Sequence, residues 1–343
     1  MKEKLKKYFG SPTILCFSII VTGECNARCS YCHFYGMRSK KEIKTIWKDI
    51  NDATYKIYIK FLKRIKTLLP DNVDLQYRFS GGDPLVIGDR MLQLADYGYK
   101  ETGIAPYILT NGLAITKKWI EKAKNHHIKY LFVSIENPFN PDPGAANPDK
   151  IIDKINKFNS SKLPIIPGIT IVKNENFKLL YDTCKYFYNK VRAIPAISEL
   201  NYQAFEIPSK QEYNDLYNNV LRVVKKFYNK TQLILFPYIS PELSYGGEKQ
   251  YLMELDINNN RYHFTQNNID KKIELILAQI EKSYPKSYCD KEKCDWFEFC
   301  RNYKWVWNAT FNKMTLKEKQ RSYCKLKKTI NQSFYDAIKN VKI

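Results

Sequence analysis

Short apolar runs alternate along the chain with longer segments in which apolar side chains recur every three or four positions. The apolar runs are typical of buried strands, and the amphipathic segments are typical of helices that cover a sheet. The predicted strands are Ile14–Val21, Val73–Phe79, Pro106–Leu109, Ile128–Ile135, Ile165–Val172 and Leu200–Glu206. The predicted helices are Ile43–Leu69, Asp89–Thr102, Lys117–Asn125, Lys150–Phe158, Phe177–Tyr188 and Glu212–Tyr228.

The repeated strand–helix order predicts an α/β fold. Such an order implies a parallel sheet with right-handed crossovers, either open or curved into a partial barrel. In these sheets the functional side chains collect at the edge formed by the carboxyl ends of the strands. We therefore look for chemistry directly after each predicted strand.

The pattern changes beyond residue 230. We predict strands at Leu233–Phe236 and Tyr251–Ile257, and helices at Lys271–Lys282 and Lys325–Val341. Little periodicity survives between Cys289 and Cys324, which indicates that a bound cluster organises the backbone there. We expect two domains, residues 1–230 and 231–343, with a helix at the end of the second.

Composition narrows the class of protein. The chain has no apolar run of the length that spans a membrane and no signal-peptide pattern, so we expect a cytoplasmic protein. Its formal net charge is +21, from 56 Lys and Arg against 35 acidic residues. That charge would attract an acidic peptide or a nucleic acid. Because the lysines are scattered, we interpret it as a compositional bias and do not expect a nucleic-acid partner.

Seven of the nine cysteines fall into two groups. An odd number of cysteines without an export signal argues against a disulfide framework, so grouped thiols indicate metal or cluster ligation. The remaining two, Cys16 and Cys184, lie in a predicted strand and a predicted helix, where we expect buried, unreactive thiols.

The first group comprises Cys25, Cys29 and Cys32, in a loop directly after the first predicted strand. Three thiolates can bind three irons of a [4Fe–4S] cubane and leave the fourth iron open to a small molecule. A structural zinc site needs four protein ligands, and His33 is adjacent. The spacing of three and then two residues is not the usual zinc pattern, but a zinc loop remains the alternative.

This cysteine spacing, with Tyr31 before the last cysteine, resembles the signature of the radical S-adenosylmethionine (SAM) superfamily. Three further motifs resemble that family in the same order along the chain. They are Gly81-Gly82-Asp83-Pro84, where the family has Gly-Gly-Glu-Pro, then Thr110-Asn111-Gly112, and Ser134-Ile135-Glu136, where the family has Ser-x-Asp. The resemblance covers roughly residues 12–206 and implies a partial (β/α)6 barrel of the TIM type.

The resemblance also implies the cofactors and their residues. The three cysteines would hold a [4Fe–4S] cluster whose open iron binds SAM, and reductive cleavage of SAM would yield a 5′-deoxyadenosyl radical. Tyr31 would pack near the adenine, while Ser134 and Glu136 would lie by the ribose. Gly81 and Gly82 would let the backbone approach the ligand, with Asp83 accepting from the SAM ammonium. Asn111 completes the expected cofactor-binding set.

The second group, Cys289, Cys294, Cys300 and Cys324, resembles the SPASM or twitch extensions of radical SAM enzymes. Four thiolates can close a complete cubane, so we predict one auxiliary [4Fe–4S] cluster. The segment Tyr251–Phe264 resembles the strand–turn–strand of a fuller SPASM domain, but Ser244 and Thr265 lie near the positions of its flanking cysteines. A structural zinc site with four cysteines is the alternative.

From the resemblance we expect an enzyme that modifies a peptide or protein by a crosslink, a thioether or an epimerisation. An electron donor such as flavodoxin or ferredoxin would be its partner. Only 24 residues precede Cys25, so we expect any leader peptide to bind another surface or a separate protein. The alternatives are a small-molecule substrate, formylglycine formation of the sulfatase-maturase type, and a zinc-loop protein that binds nucleic acid.

Overall fold

The computed structural model describes most of the first 227 residues and parts of the remainder. The described ranges are 13–32, 49–71, 73–170, 174–198, 208–227, 230, 249–255, 269–271, 273–274, 325, 328–330, 332–333 and 335–337. The described positions from 269 onward are helical, in agreement with the two helices predicted there. The second cysteine group, the predicted strands Leu200–Glu206 and Leu233–Phe236, and the turn after residue 255 lie outside the described residues.

The described strands form one parallel sheet of seven strands. In chain order the strands are β1 (Thr13–Thr22), β2 (Val73–Gly81), β3 (Tyr107–Thr110), β4 (Leu131–Ile135), β5 (Ile165–Thr170), β6 (Ala196–Ser198) and β7 (Lys249–Leu255). Strands β1 to β6 lie side by side in sequence order, and β7 pairs with the free edge of β1. The six sequential strands confirm the predicted α/β half-barrel.

Helices connect these strands, as right-handed crossovers between parallel strands require. They are α1 (Asp52–Leu68), α2 (Asp89–Thr102), α3 (Lys117–Ala123), α4 (Pro148–Phe158), α5 (Leu180–Val191) and α6 (Lys210–Phe227). Two 3-10 helices, Pro84–Ile87 and Asn174–Leu179, precede α2 and α5.

Several elements differ from the prediction by two or more residues, and α5, for example, begins at Leu180 and not at Phe177. Helix α1 begins at Asp52, after the predicted start, because the side chain of Asn51 caps it by accepting from the Thr54 N–H at 2.9 Å. Strand β4 begins three residues late, because the N–H of Ile128 donates to the His126 carbonyl and closes a tight turn. Strand β6 is a three-residue strand that the sequence analysis missed.

The two faces of the sheet differ in character. On one face of β1, Phe17 packs edge-on against Phe61 of α1, with ring centroids 5.1 Å apart. Both rings are fully buried, and burying a side chain of this size stabilises the fold by roughly 1.5–3 kcal/mol. On the opposite face, Ser18 and Ser80 share a hydrogen bond of 2.6 Å, and Arg78 Nε donates to Ser18. The helices therefore cover an apolar outer face, and the inner face carries polar groups.

The carboxyl ends of β1 to β4 lie along a single edge of the sheet, as parallel pairing requires. Each of the four motifs identified in the sequence follows one of these strands. The fold therefore brings together groups that are up to 116 positions apart in the chain. None of the helices that the structure describes is long and apolar enough to cross a membrane.

Candidate cluster and cofactor site

The three cysteines of the first group lie in the loop that leaves β1. Cys25, Cys29 and Cys32 are half-buried free thiols. The loop is compact over its second half, where the Cys32 N–H donates to the Cys29 carbonyl at 3.2 Å. All three thiols are thus accessible in part, on a segment of eight residues.

The sulfur of Cys25 receives two N–H donors. The backbone N–H of Ala27 lies 3.3 Å from it and the side-chain amide of Asn111 lies 3.4 Å from it. Such donors stabilise a thiolate, and hydrogen bonds to sulfur are a standard feature of iron–sulfur ligands. Cys25 is therefore surrounded as a thiolate ligand would be.

The thiols also lie close enough to interact electrostatically. Burial raises the pKa of Cys25, and the negative charges of Asp83 and Cys32 raise it further. Burial raises the pKa of Cys29 to about 12, with added repulsion from Glu136, Cys32 and Cys25. Burial and mutual repulsion thus oppose the thiolate form of these side chains, and the positive charge of the irons of a cubane would favour it.

No three His, Cys, Asp or Glu side chains in the described parts of the chain converge on a point where a single metal ion could bind. A cubane makes a different demand, because each of three thiolates binds its own iron and the sulfurs do not share one point. The donor set of three thiols, with two N–H groups on one of them, fits such a cluster.

The turn after β2 supports this loop through its backbone. The N–H of Gly82 donates to the Thr22 carbonyl at 2.9 Å, and the N–H of Asp83 donates to the Glu24 carbonyl at 2.7 Å. A Cβ on Gly81 would collide with the Thr22 carbonyl, and one on Gly82 with the Glu24 carbonyl. Gly81 also has a φ of +132°, which residues other than glycine rarely adopt.

The glycine pair was expected to admit a ligand. In the structure the pair permits a close approach of the chain's own backbone, because the segment that leads into the cysteine loop crosses directly over both glycines. Whether the pair also meets SAM stays a prediction.

Asp83 is fully buried and already engaged. Its carboxylate accepts from the N–H of Leu85, the hydroxyl of Thr110 and the N–H of Asn111, each at 2.9 Å. Burial raises its pKa, and these three donors partly offset that rise. The sequence analysis expected this carboxylate to accept from the SAM ammonium, which stays a prediction; in the structure the carboxylate accepts from the turns that follow β2 and β3.

Asn111 connects the turn after β3 to the cysteine loop. Its Oδ1 accepts from the Leu113 N–H at 2.8 Å, which fixes the orientation of the amide. Its Nδ2 then donates to Cys25 and, at 2.8 Å, to the Oδ1 of Asn26. Lys154 of α4 holds the same turn by donating to the carbonyls of Gly112 and Leu113.

Two further predicted residues meet each other at the end of β4. The hydroxyl of Tyr31 donates to Oε1 of Glu136, and Oε2 of Glu136 accepts from the Asp142 N–H at 3.3 Å. Burial raises the pKa of Tyr31, and the adjacent charge of Glu136 raises it further. Burial also raises the pKa of Glu136, although the Tyr31 hydroxyl opposes that shift. Ser134 lies half-buried two residues earlier, in register with Gly168 of β5.

The sequence analysis missed Asp142, whose carboxylate accepts from both the N–H and the hydroxyl of Ser30. The available signal was an Asp-Pro-Gly turn in the loop after β4, but the sequence does not indicate which segment such a turn contacts.

The two cysteines outside the groups are buried, as predicted. Cys16 contacts the hydroxyl of Tyr107 at 3.3 Å, and burial raises its pKa. Cys184 is a buried residue of α5, and burial raises its pKa as well. Neither lies at the edge that carries the candidate site.

Comparison with known proteins gives one family and several related folds. The family model of the radical SAM superfamily matches residues 19–187. The radical SAM cyclopropyl synthase TigE of Paramaledivibacter caminithermalis is 27% identical over 202 residues. That segment is 55% of this chain and 40% of TigE, so the match spans well under half of the relative.

Three solved structures of two proteins share the fold. The structure of anSMEcpe with bound AdoMet has a TM-score of 0.65 at 15% identity, covering 96% of this chain and 100% of that one. A structure of the same protein with AdoMet and the Kp18Cys peptide has a TM-score of 0.64 at 16% identity and the same coverage. Streptococcus suis SuiB bound to its precursor peptide SuiA has a TM-score of 0.53 at 16% identity, covering 87% of this chain and 73% of SuiB.

The family match includes all three cysteines of the first group and the motifs that follow β2, β3 and β4. The family carries a [4Fe–4S] cluster and SAM, which suits a loop of three interacting thiols on a parallel half-barrel. Residues 19–187 of the chain match the radical SAM superfamily, and the half-barrel shares the fold of anSMEcpe.

Proposed function

We propose that this protein is a radical SAM enzyme that modifies a peptide or protein substrate by radical chemistry. The observation that carries the substrate class is the likeness to two proteins whose structures hold peptides, anSMEcpe with Kp18Cys and SuiB with SuiA. The half-barrel aligns with anSMEcpe over nearly its whole length. A polar inner face, with Arg78, Ser18 and Ser80 bonded in a row, is suited to the amide and side-chain groups of a peptide.

In this proposal Cys25, Cys29 and Cys32 hold a [4Fe–4S] cluster and leave one iron for SAM. When bound, the reduced cluster and SAM supply a 5′-deoxyadenosyl radical that abstracts a hydrogen atom from the substrate. SAM would bind along the carboxyl edge of β2 to β4, where the residues of the cofactor-binding set lie. They are Tyr31, Gly81, Gly82, Asn111, Ser134 and Glu136. Asp83, in the turn after β2, is hydrogen-bonded to the turn after β3 and to the cysteine loop.

Side chains at the carboxyl edge of the sheet are placed to favour binding of the cluster and of SAM. Asn111 and Ala27 direct N–H groups at the sulfur of Cys25 and favour its thiolate form. Glu136 presents a carboxylate whose two oxygens each accept one hydrogen bond, from Tyr31 and from Asp142. Each oxygen retains acceptor capacity, so Glu136 can also accept from the hydroxyls of a ribose.

The remaining parts of the proposal rest on residues outside those described. Cys289, Cys294, Cys300 and Cys324 would bind one auxiliary [4Fe–4S] cluster in a SPASM-like or twitch-like domain, which would span residues 231–343. A cytoplasmic flavodoxin or ferredoxin would supply the electron. The strongly basic chain, with a net charge of +21, would favour an acidic segment of the substrate.

The relative TigE is named a cyclopropyl synthase, and closing a cyclopropane forms a carbon–carbon bond. Within the proposal, carbon–carbon crosslinking of the substrate is therefore the first reaction to assay.

The first test is anaerobic reconstitution with iron and sulfide, followed by metal analysis. Two cubanes give roughly eight irons per chain, and the first site alone gives roughly four. The reduced protein should convert SAM to 5′-deoxyadenosine. The Cys29→Ala variant should lose this activity, while Cys184→Ala, which removes a buried thiol away from the site, should keep it.

The second test addresses the substrate. Short peptides encoded next to this gene are incubated with the reduced enzyme and SAM, and the products are examined by mass spectrometry. A peptide that loses hydrogen atoms in step with 5′-deoxyadenosine formation supports the proposal. Zinc without sulfide in the anaerobically purified protein would refute it, and turnover of a nucleotide or sugar alone would refute the peptide substrate.

A further inference from the structure

The loop that follows β4 contacts the cysteine loop along the segment that contains Cys29 and Cys32. Its main contact is the carboxylate of Asp142, which accepts from the N–H of Ser30 at 3.3 Å through Oδ1 and 3.2 Å through Oδ2. The hydroxyl of Ser30 donates to the same carboxylate. Ser30 follows Cys29 directly, so these bonds act on the backbone between two of the three thiols.

A backbone contact lies next to this one. The N–H of Arg28, the residue before Cys29, donates to the Gly144 carbonyl at 2.6 Å. The two segments approach so closely that a Cβ on Gly144 would collide with the Arg28 carbonyl. The carboxylate of Asp142 also accepts from the Gly144 N–H at 2.8 Å, so one side chain shapes the turn and holds Ser30.

A third contact extends the arrangement to Tyr31. Its hydroxyl donates to Glu136, whose other oxygen accepts from the Asp142 N–H. Three residues of the cysteine loop, at positions 28, 30 and 31, are therefore bonded to the segment between Glu136 and Gly144. Cys25, at the other end of the loop, is held by Asn111 from the turn after β3.

These contacts at the two ends of the cysteine loop matter because a surface loop without them is mobile. Ordering one residue of such a loop costs roughly 1–2 kcal/mol of conformational entropy. A cluster bound by three thiolates needs all three in place at once, and groups behind the ligands commonly fix their orientation. The contacts of Asp142 order the Cys29–Cys32 segment from outside the cysteine loop. Ser30 and Asp142 are both exposed to some degree, so their bonds hold a surface segment, not a buried one.

The geometry points to Asp142 as a positioning residue that holds Cys29 and Cys32 in place for the cluster. This inference rests on the proposed assignment of the three cysteines as cluster ligands. Asp142 does not touch the thiols, and it acts through the backbone of Ser30 and the turn at Gly144. Its removal should therefore weaken retention of the cluster at these two thiolates and leave the half-barrel folded.

The test compares Asp142→Asn and Ser30→Ala with the control Asp153→Asn. The Asn variant keeps the size of the side chain but loses an acceptor oxygen. Ser30→Ala removes the hydroxyl bond alone, and Asp153 is an exposed carboxylate of α4. Each full-length protein is reconstituted anaerobically, and transfer of iron to a chelator is followed with time. EPR spectra of the reduced cluster are recorded with and without SAM.

We expect Asp142→Asn to release iron about tenfold faster than wild type, which corresponds to about 1.4 kcal/mol. Its EPR spectrum should broaden, and the change that SAM causes in the wild-type spectrum should diminish. Ser30→Ala should show the same changes to a lesser degree. Since the Ser30 hydroxyl acts through the Asp142 carboxylate, its removal should add little once that carboxylate is replaced, and the double variant should release iron no faster than Asp142→Asn alone. Asp153→Asn should behave as wild type.

Circular dichroism of the metal-free proteins shows whether each variant folds. A folded Asp142→Asn variant with the wild-type rate of iron release and the wild-type spectra would overturn the inference. Fully additive effects of the two substitutions would overturn it too. A wild-type protein that takes up no iron and sulfide would overturn the proposed function instead, so the two failures are distinct.

Discussion

Asp83 accepts the backbone N–H of Asn111 at 2.9 Å and so joins the turn after β2 to the turn after β3. The adjacent Thr110 hydroxyl and the Leu85 N–H complete the set of donors around a carboxylate that has no exposed surface. The backbone N–H of Asp83 donates to the Glu24 carbonyl, which lies directly before the cysteine loop. One residue thus connects three of the chain segments that form the candidate site.

We predict that Asp83→Asn destabilises the protein by about 1–3 kcal/mol. The amide replaces one acceptor oxygen by an NH₂ group, which would face the donors of Asn111 or Leu85 and leave a buried donor unpaired. Chemical denaturation of the metal-free protein measures the change. The exposed Asp89, which pairs with Lys122 at the surface, provides the control, and Asp89→Asn should cost less than about 0.5 kcal/mol. Equal effects of the two substitutions would contradict the role assigned to Asp83.

Gly82→Ala should prevent the cysteine loop from adopting its position. The new methyl group would overlap the Glu24 carbonyl, and relief of such overlap costs roughly 1–3 kcal/mol. We expect the variant to fold but to take up less iron on reconstitution, as measured by metal analysis.

Gly88→Ala is the matched control for that substitution. Gly88 has a φ of +61°, but nothing lies within 4 Å of a Cβ built there. Because its ψ of −132° lies outside the left-handed helical region, the variant should lose about 1–3 kcal/mol through backbone strain and bind iron as wild type does. If both variants lose iron equally, general destabilisation explains the result and the close approach at Gly82 does not.

The sequence predicted the half-barrel because the parallel strands have apolar patterns, almost continuous in Ile14–Val21 and alternating with polar residues in Val73–Phe79. The location of the candidate site followed from the same order, since parallel strands end at one edge. Strand β6 escaped prediction because three residues, Ala196–Ser198, carry no periodicity. The start of α1 was wrong because the side chain that ends the preceding loop, Asn51, lies inside an otherwise helical pattern.

The contacts within the site were harder to predict. Ser30 and Asp142 are 112 positions apart, and neither a serine nor a turn aspartate indicates its partner. An aspartate in a glycine-rich turn is typical of a ligand-binding group, and the sequence does not show that its carboxylate also accepts from Leu85, Thr110 and Asn111 of the chain itself. The glycine pair was expected to admit a ligand, since the sequence does not show which backbone passes over it.

The stability of the surface near α2 should depend on pH through Asp96. Burial opposes ionisation of Asp96, but the His127 N–H and the His127 and His126 rings outweigh it and hold the pKa of Asp96 below its ordinary value. A carboxyl whose pKa is lower in the folded state stabilises above its unfolded pKa of about 3.9, and this stabilisation is lost as the pH falls through the folded value.

The measurement is the difference in unfolding free energy between wild type and Asp96→Asn as a function of pH. We expect wild type to be modestly more stable from pH 7 down to about pH 5, with the difference shrinking below about pH 4. Asp71→Asn, at an exposed turn, should show no such trend. A difference that grows as the pH falls would contradict the assignment.

Asn111→Asp should lower the reduction potential of the proposed cluster. The Oδ1 that accepts from the Leu113 N–H is retained, and only the Nδ2 donor beside Cys25 is replaced, by a negatively charged oxygen. Both changes disfavour the reduced cluster, which carries one more negative charge than the oxidised cluster, and a tenfold difference between the two states lowers a one-electron potential by about 59 mV. An EPR-monitored redox titration of the reconstituted protein measures the shift. Asn125→Asp adds the same charge at an exposed site after α3 and should leave the potential within error of wild type. If the potential of Asn111→Asp stayed the same or rose, the amide would not act on the sulfur of Cys25 as its position indicates.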